Sequence, residues 1–195
     1  VLVQRGDNGS MGDLACIAYE ELIYYQSFDR AWLHEVLTSQ PLSQVLDLNW
    51  DYQIRSIQPA ISYDFLVGWT KEPAISSDLI RQVKGAIKEE FLQESQSAVK
   101  ILEKGLREGN QREIEASIQR ADQNLKSLNH LIYTPALKVL QQATDGLTAC
   151  AKSSGAGGGD CGIALSFDPV ETQTLIERWK EKNIEVIYQE RMGDS

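Results

Sequence analysis

The chain has 195 residues, with 19 basic against 28 acidic side chains for a net charge of −9 and an apolar fraction of 42%. These proportions fit one packed domain, or one plus part of another, and exclude a disordered chain. An acidic balance without any Lys/Arg run excludes duplex nucleic acid and anionic membrane surfaces as partners, and no apolar stretch approaches the ~20 residues of a membrane span.

Cys16, Cys150 and Cys161 are three cysteines at wide spacing. They exclude a disulfide-dense scaffold and a CxxC metal knuckle, and read as reduced thiols of a cytoplasmic protein. His34 and His130 are the only histidines, far apart in sequence, so no metal ligands are assigned.

In chain order, Val1-Leu2-Val3-Gln4-Arg5 reads as the inside of an element, so the expectation is a piece of a longer protein. Ser10 with Asp13 three residues later predicts a capping box opening a helix to about Glu20. Leu22 to Phe28 is a strand by its β-branched and aromatic content. Asp29 caps a helix carrying Trp32, Leu33, Val36 and Leu37, a looser stretch ends near Trp50, and Tyr52 to Ile57 alternates as a strand. Pro59 is punctuation. Tyr63 to Trp69 is a buried strand, with Trp69 read as core.

A long helical block then begins at Ser76-Ser77, carrying Leu79, Ile80, Val83, Ile87 and Phe91 and resuming through Val99, Leu102 and Leu106. Gly109-Asn110 stops it. Ile114, Ile118, Ala121, Leu125 and Leu128 step by four, three, four and three, as on one face of an amphipathic helix. Thr134-Pro135 is an N-cap with proline at N1. The following helix is predicted to carry Leu137, Leu140 and Leu147 and to run to about Cys150. Cys161 to Phe167 is a short strand, Asp168-Pro169 opens a last helix, and Ile184 to Tyr188 closes as a strand. The order predicts an α+β layer, an antiparallel sheet with helices on one face.

Two glycine clusters stand out. Five glycines (Gly155, Gly157, Gly158, Gly159, Gly162) fall within eight residues, in the stretch from Lys152 to Gly162. A helix-to-strand turn there needs only two to six residues. The excess of small residues lets backbone N–H groups converge on an anion, with Lys152, Ser153 and Ser154 adding polar contacts. The order, helix before and strand after, is the reverse of a P-loop or a Rossmann fingerprint. A solvent loop, or a backbone packed closely on a neighbour, is the competing explanation. The second cluster runs from Arg5 through Gly6, Asp7, Asn8, Gly9, Ser10, Met11 and Gly12 to Asp13, ahead of a helix whose N-terminus favours anions. Simple capping accounts for it equally well. Ser76-Ser77 is likewise either a helix cap or a pair of hydroxyls facing a ligand.

The segment from Lys152 to Gly162 resembles the third, C-terminal glycine motif of the GHMP kinases. The run Gly6 to Asp13 resembles that family's segment bearing the active-site aspartate, and Phe65 to Lys71 with Ser76-Ser77 resembles its strand-turn-hydroxyl element. All three stand in the family's order, and the likeness covers essentially the whole chain. The family's first motif and its second, the Gly/Ser-rich loop for the ATP phosphates, are absent. The resemblance therefore implies a C-terminal portion: residues 1–59 as the remnant of the N-terminal domain carrying the aspartate, and residues 60–195 as the ferredoxin-like C-terminal domain with the glycine loop. The partner it implies is the missing N-terminal half of the same enzyme.

The resemblance further implies transfer of the γ-phosphoryl of ATP, with Mg2+, to 5-phosphomevalonate, giving 5-diphosphomevalonate for isoprenoid synthesis. It assigns Asp13 as the catalytic residue. Ser154, Gly155, Ala156 and Gly157 would line the substrate phosphates, Ser10 and Ser76 would supply hydroxyls, and Arg5 and Asn8 would add contacts. The isolated chain, without the ATP loop, is expected to be inactive. The alternatives are another family member, such as a mevalonate kinase, and a non-catalytic phosphate-binding or assembly module.

Overall fold

The computed structural model describes residues 11–73, 83, 87–128, 132–155 and 157–193. The chain divides into two compact units, Val1–Gln58 and Pro59–Ser195.

In the first unit, helix α1 spans Gly12–Tyr19, strand β1 Ile23–Gln26, helix α2 Arg30–Ser39, the single turn α3 Leu42–Val45 and strand β2 Gln53–Ser56. The expected capping box does not form. The N-cap of α1 is Met11, left-handed at φ 65° and without a side-chain cap, so Asp13 sits in the first turn rather than three positions after the cap. The cap at Asp29 does form, its Oδ1 accepting from the amides of Ala31 at 2.9 Å and Trp32 at 3.1 Å. β1 and β2 pair antiparallel, Ile23 opposite Ser56 and Gln26 opposite Gln53. Leu33 and Val45 are the most buried side chains of this unit, and the Trp50 indole N–H donates to the Val45 carbonyl at 2.8 Å.

The second unit holds strand β3 (Tyr63–Trp69), helices α4 (Glu89–Glu108), α5 (Gln111–Leu128) and α6 (Pro135–Gln142), strands β4 (Ala149–Ser153) and β5 (Cys161–Ser166), helix α7 (Pro169–Glu181) and strand β6 (Glu185–Met192). The four strands form one sheet in the order β4-β5-β3-β6, every pairing antiparallel. One face takes α6 and α7. Leu66, Leu140, Ala151, Ala164, Leu175 and Trp179 form its core. The Trp179 indole lies against Gly68 and donates its N–H to the Leu140 carbonyl at 2.9 Å. A Cβ at residue 68 would stand 2.8 Å from Trp179 Cζ3, so glycine in mid-strand makes room for the ring. The other face carries Phe65 and Tyr188, their rings 6.4 Å apart. Trp69, read as core, is 37% exposed at the end of β3. α5 packs along β4, and β6 lies at the opposite edge, pairing with β3 alone among the described strands.

Two predicted helices are corrected. The long block is not continuous: Lys88 is extended (φ −111°, ψ 168°) and serves as the N-cap of α4, which starts at Glu89. Leu79 and Ile80 lie outside the described residues. The helix expected to reach Cys150 ends at Gln142, and Ala149–Ser153 is a strand. Residues 143–148 turn the chain, with Gly146 at φ 77°, and the small side chains of Ala149, Cys150 and Ala151 carry no helical period to compete with pairing onto β5. The predicted caps at Thr134 and Asp168 both form, Thr134 Oγ1 accepting from Leu137 and Asp168 Oδ1 from Val170 and Glu171. No described helix is long and apolar enough to cross a membrane.

Candidate functional site

The glycine-rich segment joins two antiparallel strands, not a helix to a strand. It is the loop of the β4–β5 hairpin, residues 154–160. The Ser154 amide donates to the Cys161 carbonyl at 2.9 Å and carries the ladder one step beyond the paired residues. The backbone then turns through positive φ at Gly155 (59°), Gly157 (78°), Gly158 (90°), Gly159 (125°) and Asp160 (61°). A run of this kind is open to glycine and closed to most L-residues.

The far end of the loop is held from two sides. The Gly158 amide donates to the Ile132 carbonyl at 2.7 Å, and the Asp160 amide to the Glu72 carbonyl at 2.8 Å. Thr70, just past β3, gives both its amide and its hydroxyl to the Asp160 carbonyl, each at 2.8 Å. Gly157 is needed for space as well as for φ, since a Cβ there would stand 2.5 Å from Ile132 Cγ2 and 2.7 Å from the Ile132 carbonyl oxygen. Close packing thus accounts for Gly157.

Packing does not account for the near end. Ser154 and Gly155 are exposed, and a Cβ at Gly155 would meet nothing within 4 Å. Among the described residues, none accepts a hydrogen bond from the Gly155 N–H. The amides of Ser154 and Gly157 are engaged inside the loop, the latter weakly, 3.4 Å from the Ser154 carbonyl. The loop is therefore rigid at one end and open at the other.

Beneath the loop lies a polar cluster around the buried Asp122 and Tyr133 that the periodicity gave no hint of. The Ser153 amide donates to Tyr133 Oη at 3.2 Å. Asp122, buried on α5, accepts from Lys126 Nζ at 2.7 Å and from Gln141 Nε2 at 2.6 Å. Lys126 also donates to Gln141 Oε1 at 2.8 Å and stands 4.7 Å over the Tyr133 ring. Burial, together with the adjoining Asp122 carboxylate, pushes the Tyr133 phenol up to about 12. Lys152 turns back on its own backbone, Nζ donating to the Ser153 carbonyl. Burial lowers its pKa, Asp122 opposing. The only sequence signal near this cluster was the Thr134-Pro135 helix start, which fixes where the chain between α5 and α6 ends.

Of the residues singled out from the sequence, Ser154, Gly155 and Gly157 come together in the hairpin loop of the second unit. Asp13 is exposed in the first turn of α1 in the first unit. Arg5, Asn8, Ser10, Ser76 and Ala156 lie outside the described residues. Among the described residues no group of three or more His, Cys, Asp or Glu stands together as a metal site.

Residues 102–185 match the family described as GHMP kinases C terminal. The chain is 32% identical over 168 residues to the phosphomevalonate kinase of Streptomyces sp. (strain CL190), a match covering 80% of the chain and 45% of that protein. It is 49% identical, at a TM-score of 0.93, to a structure of Streptococcus pneumoniae phosphomevalonate kinase in complex with phosphomevalonate and AMPPNP, over 98% of the chain and 58% of that protein. L. major mevalonate kinase, with R-mevalonate bound, shares the fold at a TM-score of 0.60 and 16% identity, over 73% of the chain and 45% of that protein. The chain thus spans about half the length of these relatives.

Proposed function

The chain belongs to the GHMP kinases, and from that premise we propose that it forms the acceptor side of an ATP-dependent phosphotransferase acting on 5-phosphomevalonate. The first unit is then the tail of the kinase N-terminal domain, and the ATP phosphate loop comes from chain beyond these 195 residues. The observation that carries the reading is the asymmetry of the hairpin loop. Its Gly157–Asp160 side is pinned, its Ser154–Gly155 side is exposed, and Thr70 ties it to the strand after which Ser76 follows. The 49% identity to a structure holding phosphomevalonate and AMPPNP supports the substrate pair.

Phosphoryl transfer consists largely of positioning and charge stabilisation. The acceptor is a phosphate oxygen rather than an alcohol. A phosphomonoester has its second pKa near ~6, so at neutral pH it is mostly dianionic and needs no strong base. Asp13 therefore orients the acceptor and its cationic partners. The backbone of Ser154, Gly155 and Gly157 lines the phosphate, with the Gly155 N–H as the donor still open to it, and the resemblance adds Ala156. By the resemblance, Ser10 and Ser76 supply hydroxyl contacts to the acceptor, and Arg5 and Asn8 further polar contacts. Mg2+, when bound, neutralises charge on the ATP phosphates. The described residues offer no acidic cluster for it.

The longer protein assayed with ATP and, in turn, mevalonate, 5-phosphomevalonate and 5-diphosphomevalonate tests the reading. We expect turnover with 5-phosphomevalonate alone. Asp13→Asn is expected to lower kcat more than it raises KM for the acceptor. Preferred use of mevalonate would instead place the chain with the mevalonate kinases, and loss of turnover matched by equal loss of binding would make Asp13 a binding group only.

A further inference from the structure

The hairpin loop is shaped from below by a segment of chain distant in sequence. Its two sides are gripped at adjacent residues of the α5–α6 connection: the Ile132 carbonyl takes the Gly158 amide, and the Tyr133 hydroxyl takes the Ser153 amide. Ser153 and Gly158 bracket the Ser154–Gly157 stretch. Ile132 and Tyr133 are 1% and 3% exposed, so both contacts form away from water, where a lost partner leaves an unmet donor. The Ser153 hydroxyl is itself buried without a partner among the described residues, so nothing local replaces Tyr133. Lys126 stands over the phenol ring, and Asp122 holds Lys126 and Gln141 in place.

We propose that Tyr133, braced by Asp122, is a positioning residue that sets the conformation in which the hairpin loop offers its open Gly155 amide to the acceptor phosphate. This rests on the phosphate-binding reading above. Tyr133 itself is buried and acts through the Ser153 amide. A phenol is suited to the task because its oxygen accepts from the amide while its O–H remains free to donate toward a carboxylate. Phenylalanine keeps the ring and the packing and removes the hydroxyl, both the acceptor for Ser153 and the donor toward the carboxylate.

The test compares Tyr133→Phe with Gly157→Val and with Tyr63→Phe in the longer protein, by acceptor kinetics and by amide exchange of the chain. Tyr63 is a second buried phenol, in β3 and outside the cluster. Tyr133→Phe is expected to raise KM for 5-phosphomevalonate about fivefold to tenfold while KM for ATP stays within about twofold, an effect of the size of one buried hydrogen bond. The amides of Ser153 and Gly158 should exchange at least about tenfold faster, with those of α4 unchanged. Tyr63→Phe should move none of these. If Gly157→Val abolishes acceptor use while Tyr133→Phe leaves acceptor KM and loop exchange at the parent values, the positioning role is overturned and the phosphate-binding reading stands. If Gly157→Val folds and leaves acceptor KM unchanged, the phosphate-binding reading falls and this inference with it. Should Tyr133→Phe fail to fold, Asp122→Asn is read by the same measurements, and an unchanged acceptor KM there overturns the proposal.

Discussion

Tyr63 and Tyr133 are both pushed up to about 12, chiefly by burial, with Glu190 adding at Tyr63 and Asp122 at Tyr133. In the unfolded chain the same phenols ionise near ~10. The native state holds these protons over a range in which the unfolded chain releases them. Each tyrosine thus contributes stability that is whole below pH ~10 and is lost as pH climbs toward about 12. An absorbance titration of phenolate formation should show a late group containing these two, rising together with alkaline unfolding, and Phe substitution at either should subtract one proton from that group. A single titration of all seven tyrosines near ~10 would mean that both rings meet water in the folded chain.

Among the elements, β3 and the helix after Asp168-Pro169 were legible because each signal is local. β3 is dominated by aromatic and aliphatic residues (Tyr63, Phe65, Leu66, Val67 and Trp69) despite Asp64 and Gly68, and α7 opens with a carboxylate cap followed by proline at N1. The capping box at Ser10 misled because the same residues allow a start one position later, at Met11. β4 misled more seriously. Ala149, Cys150 and Ala151 are small enough for either state, and what makes them a strand is the ladder to β5, which no window along the chain contains. The grip of Tyr133 on Ser153 joins positions 20 apart and was hidden for the same reason. Gly68 tests how tightly this sheet is closed. A Cβ there meets a rigid indole on one side and Ile184 at 3.1 Å on the other, and neither is the free end of a flexible chain. Gly68→Ala should therefore destabilise the chain by about 2 kcal/mol, in the range of overpacked cores. Urea denaturation measures it, and a loss under about 0.5 kcal/mol would show that Trp179 can step aside.

For the whole molecule, the proposed division of labour between these 195 residues and a longer chain makes the sharpest forecast. If the ATP loop lies elsewhere, the pure chain should bind 5-phosphomevalonate weakly and transfer nothing from ATP. Calorimetry and a coupled diphosphomevalonate assay check the two halves separately. Steady turnover by the pure chain, above a mock preparation, would require a nucleotide loop within these residues. Parts of the molecule were legible at this scale because the three short segments stand in the right order, and order survives where element boundaries shift. Asp13 and the hairpin loop stand in different compact units, and no window along the chain relates one to the other.

β6 has one last consequence. It closes the sheet on the side away from α5 and shows the solvent a row of peptide groups along the rim, an invitation for another strand to add itself. Yet Glu185, Glu190 and Arg191 stand along it, within a chain carrying a net charge of −9. A strand adding itself here would have to strip water from these charged side chains, so growth of the sheet from molecule to molecule is opposed at its starting point.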